Sequence, residues 1–447
     1  MRMISMNLHQ AAAVTGATLI GKPAQFRGIC TDSRKDCTGK LFVALKGENF
    51  NGEDHCQSAI DNGAVAILVS SAQEVEVPQL ICEESLAALS VLAKNWANQC
   101  KAKVIAITGS NGKTTVKNMI HSILSVSNKC SATLGNLNNE IGVPLTLCNI
   151  HKDDDYAVVE MGAAKLGDIL WLVSLVDITT AAITNVSEAH IGRFGSFETI
   201  IKEKGQIVAK LNDKDFAVLP IDDENYDYWT TLTNGKILSF GTNQAASIKI
   251  NDSQEFSLTV NDSKINNINL PVVGIHNQAN AACATAIANS LEIKNDDIKK
   301  GLETFNPPQG RLQFMGEIDG NIIINDSYNA NPQSVKAAID VLASYDGITT
   351  LILGDMAELG NDSIKHHQHV GEFAKQNKVT HLLTIGKDSK QASLAFSDET
   401  MHFTDIDSLK NHLLKNWNKY GTVLVKGSRS MHLEDLIDGL IKSEKVA

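Results

Sequence analysis

The sequence predicts a three-domain α/β protein whose central domain binds a nucleotide. At 447 residues the chain exceeds what a single hydrophobic core supports, so about three domains of ordinary size are expected. Strand-like apolar runs alternate with helix-like segments along most of the chain, as in parallel sheets covered by helices. One such run, residues 104–108, leads directly into a glycine-bracketed loop that is typical of phosphate binding.

The first domain is predicted at residues 1–82 as a small α/β module. Strand-like runs at 41–45 and 64–69 flank a helix-like segment. The next stretch, residues 83–98, carries its large apolar residues near helical spacing and leads into the phosphate loop. We therefore begin the central domain at residue 83.

The central domain, residues 83–309, is predicted to hold a largely parallel sheet with a small antiparallel insert. Its parallel strands are expected at 156–160, 179–184, 216–219 and 237–240. The runs at 247–250, 256–260 and 268–270 alternate polar and apolar residues between Asn/Asp turns, which indicates antiparallel strands with one wet face. A helix rich in small residues should follow at 277–290.

A second α/β unit, Rossmann-like, is predicted at residues 310–447. The prolines at 307 and 308 forbid helix continuation and mark a linker before it. Beyond the linker, strands are expected at 321–325, 349–353, 381–385 and 422–426, separated by helix-like stretches.

Composition excludes several classes of protein. Lys and Arg number 40 against 51 Asp and Glu, a net charge of −11, which argues against a general nucleic-acid surface. The 8 cysteines include no C-x-x-C pair, so metal-ligand spacing is absent, and they are interpreted mainly as small buried hydrophobes in a reducing compartment. With no apolar run of about 18 residues, nothing should span a membrane, and we expect a cytosolic protein.

The phosphate loop has a shortened form. The usual pattern is G-x-x-x-x-G-K-[ST], but Ile107 stands at its first glycine, which leaves G-x-x-G-K-T. Glycines let backbone N–H groups point at phosphate oxygens, Lys113 adds a positive charge, and a hydroxyl can bind Mg²⁺. The nucleotide-binding residues predicted here are Gly109, Ser110, Asn111, Gly112, Lys113, Thr114 and Thr115.

The sequence alone leaves the roles of three polar residues of the central domain undecided. Glu160 ends a strand, where a carboxylate either holds Mg²⁺ beside the phosphates or forms a capped or salt-bridged strand end. His190 follows the next strand, and a lone histidine is more often structural than a ligand. Lys204 lies in a charged stretch that resembles a solvated helix face.

Further polar residues collect where ligands bind in open α/β sheets, beyond the carboxyl ends of strands. His276, Asn277 and Asn280 share one face of a helix start. In the second sheet the candidates are Arg311, Asp326, Lys426 and Arg429. The cluster His366, His367 and His369 is expected in a surface helix and is not interpreted as a metal site.

Taken together, these motifs resemble the Mur ligase family over nearly the whole chain. The phosphate loop, the run VVEMGA around Glu160, and HNQANA at 276–281 match family motifs. Three longer runs are more specific: GNLNNEIGVP at 135–144, NDSYNANP at 325–332 and GDMAELG at 354–360. They indicate the family member that adds D-alanyl-D-alanine to UDP-MurNAc-tripeptide.

The resemblance implies a role for each matching residue. One Mg²⁺ would be held by Thr114 and Glu160, and a second, near His190, by a carbamate on Lys204. Lys113 would act on the phosphates. ATP would also contact Asn277, Asn280, Arg311 and Asp326. Substrate contacts would come from Thr31, Ser33, Arg34, Asn136, Asn138, Asn139, Asn329, Lys426 and Arg429, with the roles of Lys426 and Arg429 undecided between D-alanyl-D-alanine and phosphate.

The implied reaction is ATP-dependent amide formation through an acyl phosphate, by a monomer, with no nucleic-acid partner. Two alternatives stay open. The nearer is another amide ligase of the superfamily, such as a folylpolyglutamate synthetase or the ligase that adds the third peptide residue; the run at 325–332 argues against both. The more distant is a P-loop kinase or nucleotide switch.

Overall fold

Three sheets, each packed with helices, follow one another along the chain. The computed structural model describes residues 3–47, 50–187, 191–397 and 401–444. The sheets have five, nine and six strands, and the two larger ones are mostly parallel. The predicted α/β class with three domains is confirmed; the domain limits at 82/83 and 309/310 stay a prediction.

The first sheet has the order β2-β9-β8-β5-β4 and is parallel except for the β2–β9 pair. Two small antiparallel ribbons, β1–β3 and β6–β7, accompany it. The strands are β1 (Ser5–Asn7), β2 (Thr18–Ile20), β3 (Gln25–Arg27), β4 (Ile29–Cys30), β5 (Leu41–Val43), β6 (Lys46–Gly47), β7 (Phe50–Asn51), β8 (Ala66–Val69) and β9 (Gln79–Ile81). The helices are α1 (Leu8–Thr15) and α2 (Cys56–Asp61).

The cysteines correct part of the sequence interpretation. Cys30 and Cys37 form a disulfide across the loop that follows β4, so these two are not free buried thiols. The other six are free, as expected for small hydrophobes. Burial raises the pKa of the Cys56 and Cys100 thiols to about 11, which keeps both protonated and unreactive at neutral pH.

The central sheet has the order β11-β12-β10-β13-β14-β15-β16-β17-β18 and is parallel from β11 to β16. Its strands are β10 (Lys103–Thr108), β11 (Cys130–Ala132), β12 (Tyr156–Glu160), β13 (Thr180–Ile183), β14 (Phe216–Pro220), β15 (Lys236–Gly241), β16 (Ile248–Ile250), β17 (Leu258–Val260) and β18 (Ser263–Ile265). Its helices are α3 (Ser85–Ala97), α4 (Lys113–Ser125), α5 (Gly142–Cys148), α6 (Asp168–Leu172), α7 (Ile191–Phe194), α8 (Phe197–Gly205), α9 (Tyr226–Thr230), α10 (Ile275–Ser290) and α11 (Asn295–Thr304).

The order of these strands explains where the site lies. Strands β11 and β12 lie on one side of β10 in the sheet, and the next strand in sequence, β13, lies on the other side. This reversal creates a crevice at the carboxyl end of β10, the usual ligand position in an open α/β sheet. The phosphate loop follows β10 directly, so it lies in that crevice.

The C-terminal sheet has the order β19-β20-β24-β21-β22-β23, with β19 antiparallel to β20 and the rest parallel. Its strands are β19 (Gln313–Ile318), β20 (Asn321–Asp326), β21 (Thr349–Gly354), β22 (His381–Ile385), β23 (Met401–Phe403) and β24 (Thr422–Lys426). Its helices are α12 (Pro332–Ala343), α13 (Ser363–Gln376), α14 (Lys390–Phe396), α15 (Ile406–Asn416) and α16 (Glu434–Glu444). Among the described residues, no helix has the length and apolar character needed to cross a bilayer.

Two sequence predictions of local structure are wrong. The third insert strand is β18 (Ser263–Ile265), not 268–270, because Asn261 and Asp262 both adopt positive φ and close a two-residue hairpin between β17 and β18. His367 is not on the surface of its helix. It is fully buried, and its Nε2 accepts a hydrogen bond of 3.0 Å from the Met356 N–H.

Candidate functional site

The phosphate loop is held in shape by glycine conformation and by strand β13. Gly109 has a φ of +152°, and a Cβ on it would collide with Thr184 Oγ1. Gly112 has a φ of +81°, and a Cβ on it would collide with Asn280 Oδ1. Asn111 N–H donates to Asn185 Oδ1 at 3.0 Å, and Thr184 Oγ1 donates to the Asn111 carbonyl at 2.6 Å. Thr184 and Asn185 were not among the residues predicted from the sequence; the signal was their position just after β13, which flanks β10.

Helix α10 approaches the loop closely because it is built from small residues. Its buried alanines pack in one cluster with Met119, Ile120 and Ile123 of α4. This packing brings Asn280 against Gly112, while Asn280 Nδ2 donates to Asn277 Oδ1 at 3.1 Å. Asn277 and Asn280 thus lie beside the loop, as expected.

Lys113 begins helix α4 at the end of the loop. Its Nζ donates to the carbonyls of Gly109 at 2.7 Å and Ser110 at 3.3 Å. The surrounding protein lowers the pKa of Lys113 by desolvation, while the negative charge of Glu160 opposes this. The ammonium therefore has only neutral carbonyl partners among the described residues, and a phosphate oxygen would be a stronger, anionic partner.

Glu160 fits a metal-binding role. It ends β12 opposite Ile107 of β10 and is 1% exposed. Its Oε1 accepts a hydrogen bond of 2.7 Å from Asn138 Nδ2, but Oε2 is buried without a hydrogen-bond partner. Since a buried carboxylate oxygen is costly to leave unpaired, this atom suits a cation. Glu160 forms no salt bridge among the described residues, and the hydrogen bond from Asn138 is the contact that fits a capped strand end instead.

Lys204 is buried, which corrects its assignment to a solvated helix face. It is 4% exposed, and neighbouring Glu203 is fully buried with its two oxygens accepting from the N–H groups of Gly167 and Ile169. Burial, and secondly the charge of Lys113, lowers the pKa of Lys204 to about 7. A lysine in this setting is readily neutral at physiological pH. His190 lies outside the described residues.

A cleft of about 980 Å³ connects several predicted residues. Gly109, Lys113, Asn138, Asn139 and Lys204 all line it. The far wall is formed by α3 and by residues 162–175, where Leu166 and Trp171 are exposed. A substrate many atoms long therefore has room to extend from the phosphate loop along this wall.

The C-terminal domain reaches the loop through Arg311 and helix α12. Arg311 Nη2 donates to Thr114 Oγ1 at 3.2 Å, and its guanidinium lies 4.4 Å from the centre of the Tyr328 ring. Asn331 Nδ2 donates to Asn111 Oδ1 at 2.8 Å. Arg311 Nε is buried without a partner, which suits a phosphate oxygen.

Asp326 and Lys426 form a buried ion pair at the ends of neighbouring strands. Their side chains are 2.7 Å apart, and Lys426 Nζ also donates to the Asn329 carbonyl at 3.0 Å. Asp326 Oδ1 accepts from the Leu312 N–H at 3.1 Å, next to Arg311. Burial lowers the pKa of His276, while the nearby Asp326 opposes this. Lys426 is thus held at the end of β24 by Asp326 and the Asn329 carbonyl.

The remaining predicted substrate residues do not line this cleft among the described residues. Arg34 pairs with Asp32 at 2.9 Å, and Ser33 is buried beside it. Arg429 pairs with Glu434 at 2.7 Å. The others in this group are Thr31, Asn136 and Asn329.

Comparison with known proteins gives a consistent result along the chain. The models for the Mur ligase family catalytic domain, the Mur ligase middle domain and the Mur ligase glutamate ligase domain match residues 25–108, 107–288 and 310–429. The UDP-N-acetylmuramoyl-tripeptide–D-alanyl-D-alanine ligase of Escherichia coli is 38% identical over 448 residues, 98% of this chain and 99% of that one. Its namesake in Bacillus subtilis is 33% identical, covering 99% of each chain.

Solved structures agree. MurF from Acinetobacter baumannii has a TM-score of 0.90 at 31% identity, covering 99% of this chain and 100% of that one. The MurF ligase from Thermotoga maritima, solved in complex with ADP, has a TM-score of 0.82 at 26% identity, covering 94% and 98%. The three family models, the full-length relatives and the solved structures all point to one family, and the chain belongs to the Mur ligase family.

Proposed function

We propose that this protein is an ATP-dependent ligase that joins D-alanyl-D-alanine to the terminal carboxylate of UDP-MurNAc-tripeptide. The observation that carries the proposal is the cleft that joins the phosphate loop to the buried Lys204 and to Asn138 and Asn139. The names of the full-length relatives support the choice of substrates.

The reaction must bring together two anions, the terminal carboxylate of the peptide and the phosphates of ATP. A carboxylate is a poor electrophile, so its oxygen attacks the γ-phosphorus of ATP to give an acyl phosphate and ADP. The amine of D-alanyl-D-alanine then attacks the acyl carbon, phosphate leaves with the C–O electron pair, and the nitrogen loses a proton. Catalysis is mainly positioning and charge neutralisation.

Side chains and backbone groups of the protein supply both the positioning and the charge neutralisation. Lys113 and Arg311 face the phosphates from the central and C-terminal domains, and the loop N–H groups add donors. Asn277, Asn280 and Asp326 surround the nucleotide, and Asn138 and Asn139 face the peptide end. One Mg²⁺ would be held by Thr114 and Glu160, and a second by His190 and a carbamate on Lys204; when bound, these ions neutralise phosphate charge.

A carbamate explains why a lysine lies among metal ligands. The ammonium first loses one proton. Addition of CO₂ to the neutral amine then forms an N–C bond and releases a second proton, so that a cation becomes an anionic oxygen ligand. Burial of Lys204 in the cleft wall favours the neutral amine that this step needs.

Phosphate release is the direct test of the proposed function. With ATP, Mg²⁺ and a UDP-MurNAc-tripeptide, phosphate and a new amide should appear only when D-alanyl-D-alanine is present. A phosphorylated acceptor without amide indicates a kinase, and turnover with glutamate and a folate indicates a folylpolyglutamate synthetase. Tripeptides ending in diaminopimelate and in lysine should be compared, because the third residue is undecided.

Glu160→Ala should lower ligation by at least about 10²-fold, because it removes one anionic metal ligand. Excess Mg²⁺ should restore only part of the rate, since the affinity is weakened but the other ligands remain. The measurement is the Mg²⁺ dependence of phosphate release, with Glu255→Ala, an exposed carboxylate in the insert, as the control. An unchanged Mg²⁺ dependence would assign Glu160 a structural role.

We also propose that the protein acts as a monomer in the cytoplasm, where ATP is supplied. Light scattering on the purified chain tests the first point, and cell fractionation tests the second.

A further inference from the structure

Lys117 is a buried lysine that the proposed chemistry does not use. It lies one helical turn after Lys113 on α4 and is 5% exposed. The only other buried lysines of the described chain are Lys204 and Lys426. Because burying an ammonium is costly, a methionine would serve better if only packing were needed here.

The contacts of Lys117 lead to Glu160. Lys117 Nζ donates to the Thr133 carbonyl at 2.9 Å. Thr133 is 2% exposed, and its Oγ1 accepts from the Glu160 N–H at 2.9 Å. Thr133 N–H donates to the Val158 carbonyl, also at 2.9 Å. One lysine on the phosphate-loop helix therefore fixes the residue that holds the backbone of the candidate metal ligand.

Thr133 also begins the segment that carries the predicted substrate asparagines. The segment returns to Glu160 at Asn138, whose Nδ2 donates to Glu160 Oε1 at 2.7 Å and whose carbonyl accepts from the Gly162 N–H at 2.7 Å. Residues 133–139 thus contact Glu160 through its backbone at one end and its side chain at the other.

Electrostatics are consistent with this arrangement. Burial lowers the pKa of Lys117, but the negative charge of Glu160 opposes that shift. Lys117 makes no ion pair with Glu160; the two residues are linked by hydrogen bonds to Thr133.

We propose that Lys117 is a positioning residue that couples helix α4 to segment 133–139, and so holds Glu160 and Asn138 in register with the phosphate loop. The proposal deepens the proposed function and rests on it for the nucleotide and Mg²⁺ site, but not for the identity of the peptide substrates.

The test compares Lys117→Met with Lys101→Met, which removes an exposed lysine paired with Asp155 at 3.0 Å. ADP binding is measured by calorimetry with and without Mg²⁺. In Lys117→Met the metal-free ADP affinity should stay within about 2-fold, while the Mg²⁺ concentration for half-saturation should rise about 10–100-fold, as for other second-sphere changes. Lys101→Met should leave both values unchanged.

A second pair of variants keeps the test informative if Lys117→Met does not fold. Thr133→Val removes the hydroxyl that accepts from Glu160 N–H, and Thr133→Ser keeps it, so only the valine variant should shift the Mg²⁺ requirement. An unchanged Mg²⁺ requirement in folded Lys117→Met and in Thr133→Val would overturn the proposal, as would a large loss of metal-free ADP affinity. If the Mg²⁺ shift occurs in a protein without ligation activity, the positioning role stands and the proposed function fails.

Discussion

Lys113→Ala is expected to abolish ATP turnover while the protein still folds. Lys113 faces the loop carbonyls that phosphate oxygens replace, so its loss leaves the γ-phosphate without its principal cation. We expect phosphate release to fall by at least about 10³-fold, at the upper end for a single charge-stabilising group. The unfolding temperature should change little, because the ammonium bonds only to its own loop.

The measurement is phosphate release at saturating substrates, with circular dichroism on the same samples. Lys101→Ala on the surface of the same domain is the matched control. Near-normal ligation by Lys113→Ala would remove the basis for assigning residues 109–115 to the phosphates.

Lys204→Ala is the second large effect, and it tests the carbamate. The variant should lose about 10²-fold or more of the ligation rate, because the anionic ligand oxygen disappears with the amine. Short carboxylic acids in solution should restore part of the rate by occupying the emptied position. Lys202→Ala is the matched control, since Lys202 is exposed two residues away on the same helix.

The stimulation of the reaction rate by bicarbonate should change with pH in one direction. The pKa of Lys204 is lowered to about 7, so the fraction of neutral amine increases as the pH rises through this value. Only the neutral amine adds CO₂, so stimulation of the unmodified enzyme by bicarbonate should be weak below pH 7 and stronger above it. Absence of any bicarbonate effect, with a plain lysine in a high-resolution map of the Mg²⁺ complex, would reject the carbamate.

The parallel strands were well predicted because burial on both faces makes them continuous apolar runs. The limits of Tyr156–Glu160, His381–Ile385 and Thr422–Lys426 agree with the structure at both ends. The edge strand Ser263–Ile265 was missed because it depends on a tight turn rather than on its own sequence.

For the site too, features that are local in the sequence differ from features that depend on distant segments. The phosphate loop is local in sequence, so its glycines and Lys113 were predicted directly. The burial of Lys204 and His367 comes from packing between distant segments, and their charged or polar neighbours along the chain indicate the opposite. The contacts from Thr184 and Asn185 depend on β13 lying next to β10, which strand order alone determines.

Arg311 of the C-terminal domain contacts Thr114 of the central domain, so the proposed reaction depends on how long the two domains stay in contact. An acyl phosphate is a mixed anhydride that water also attacks, and the groups that enclose it belong to two domains. If the domains separate before the amine attacks, ATP is spent and the tripeptide is returned unchanged. The ratio of phosphate released to amide formed therefore reports how long the two domains stay together, and variants of Asn331 should raise that ratio before they lower the rate of ATP cleavage.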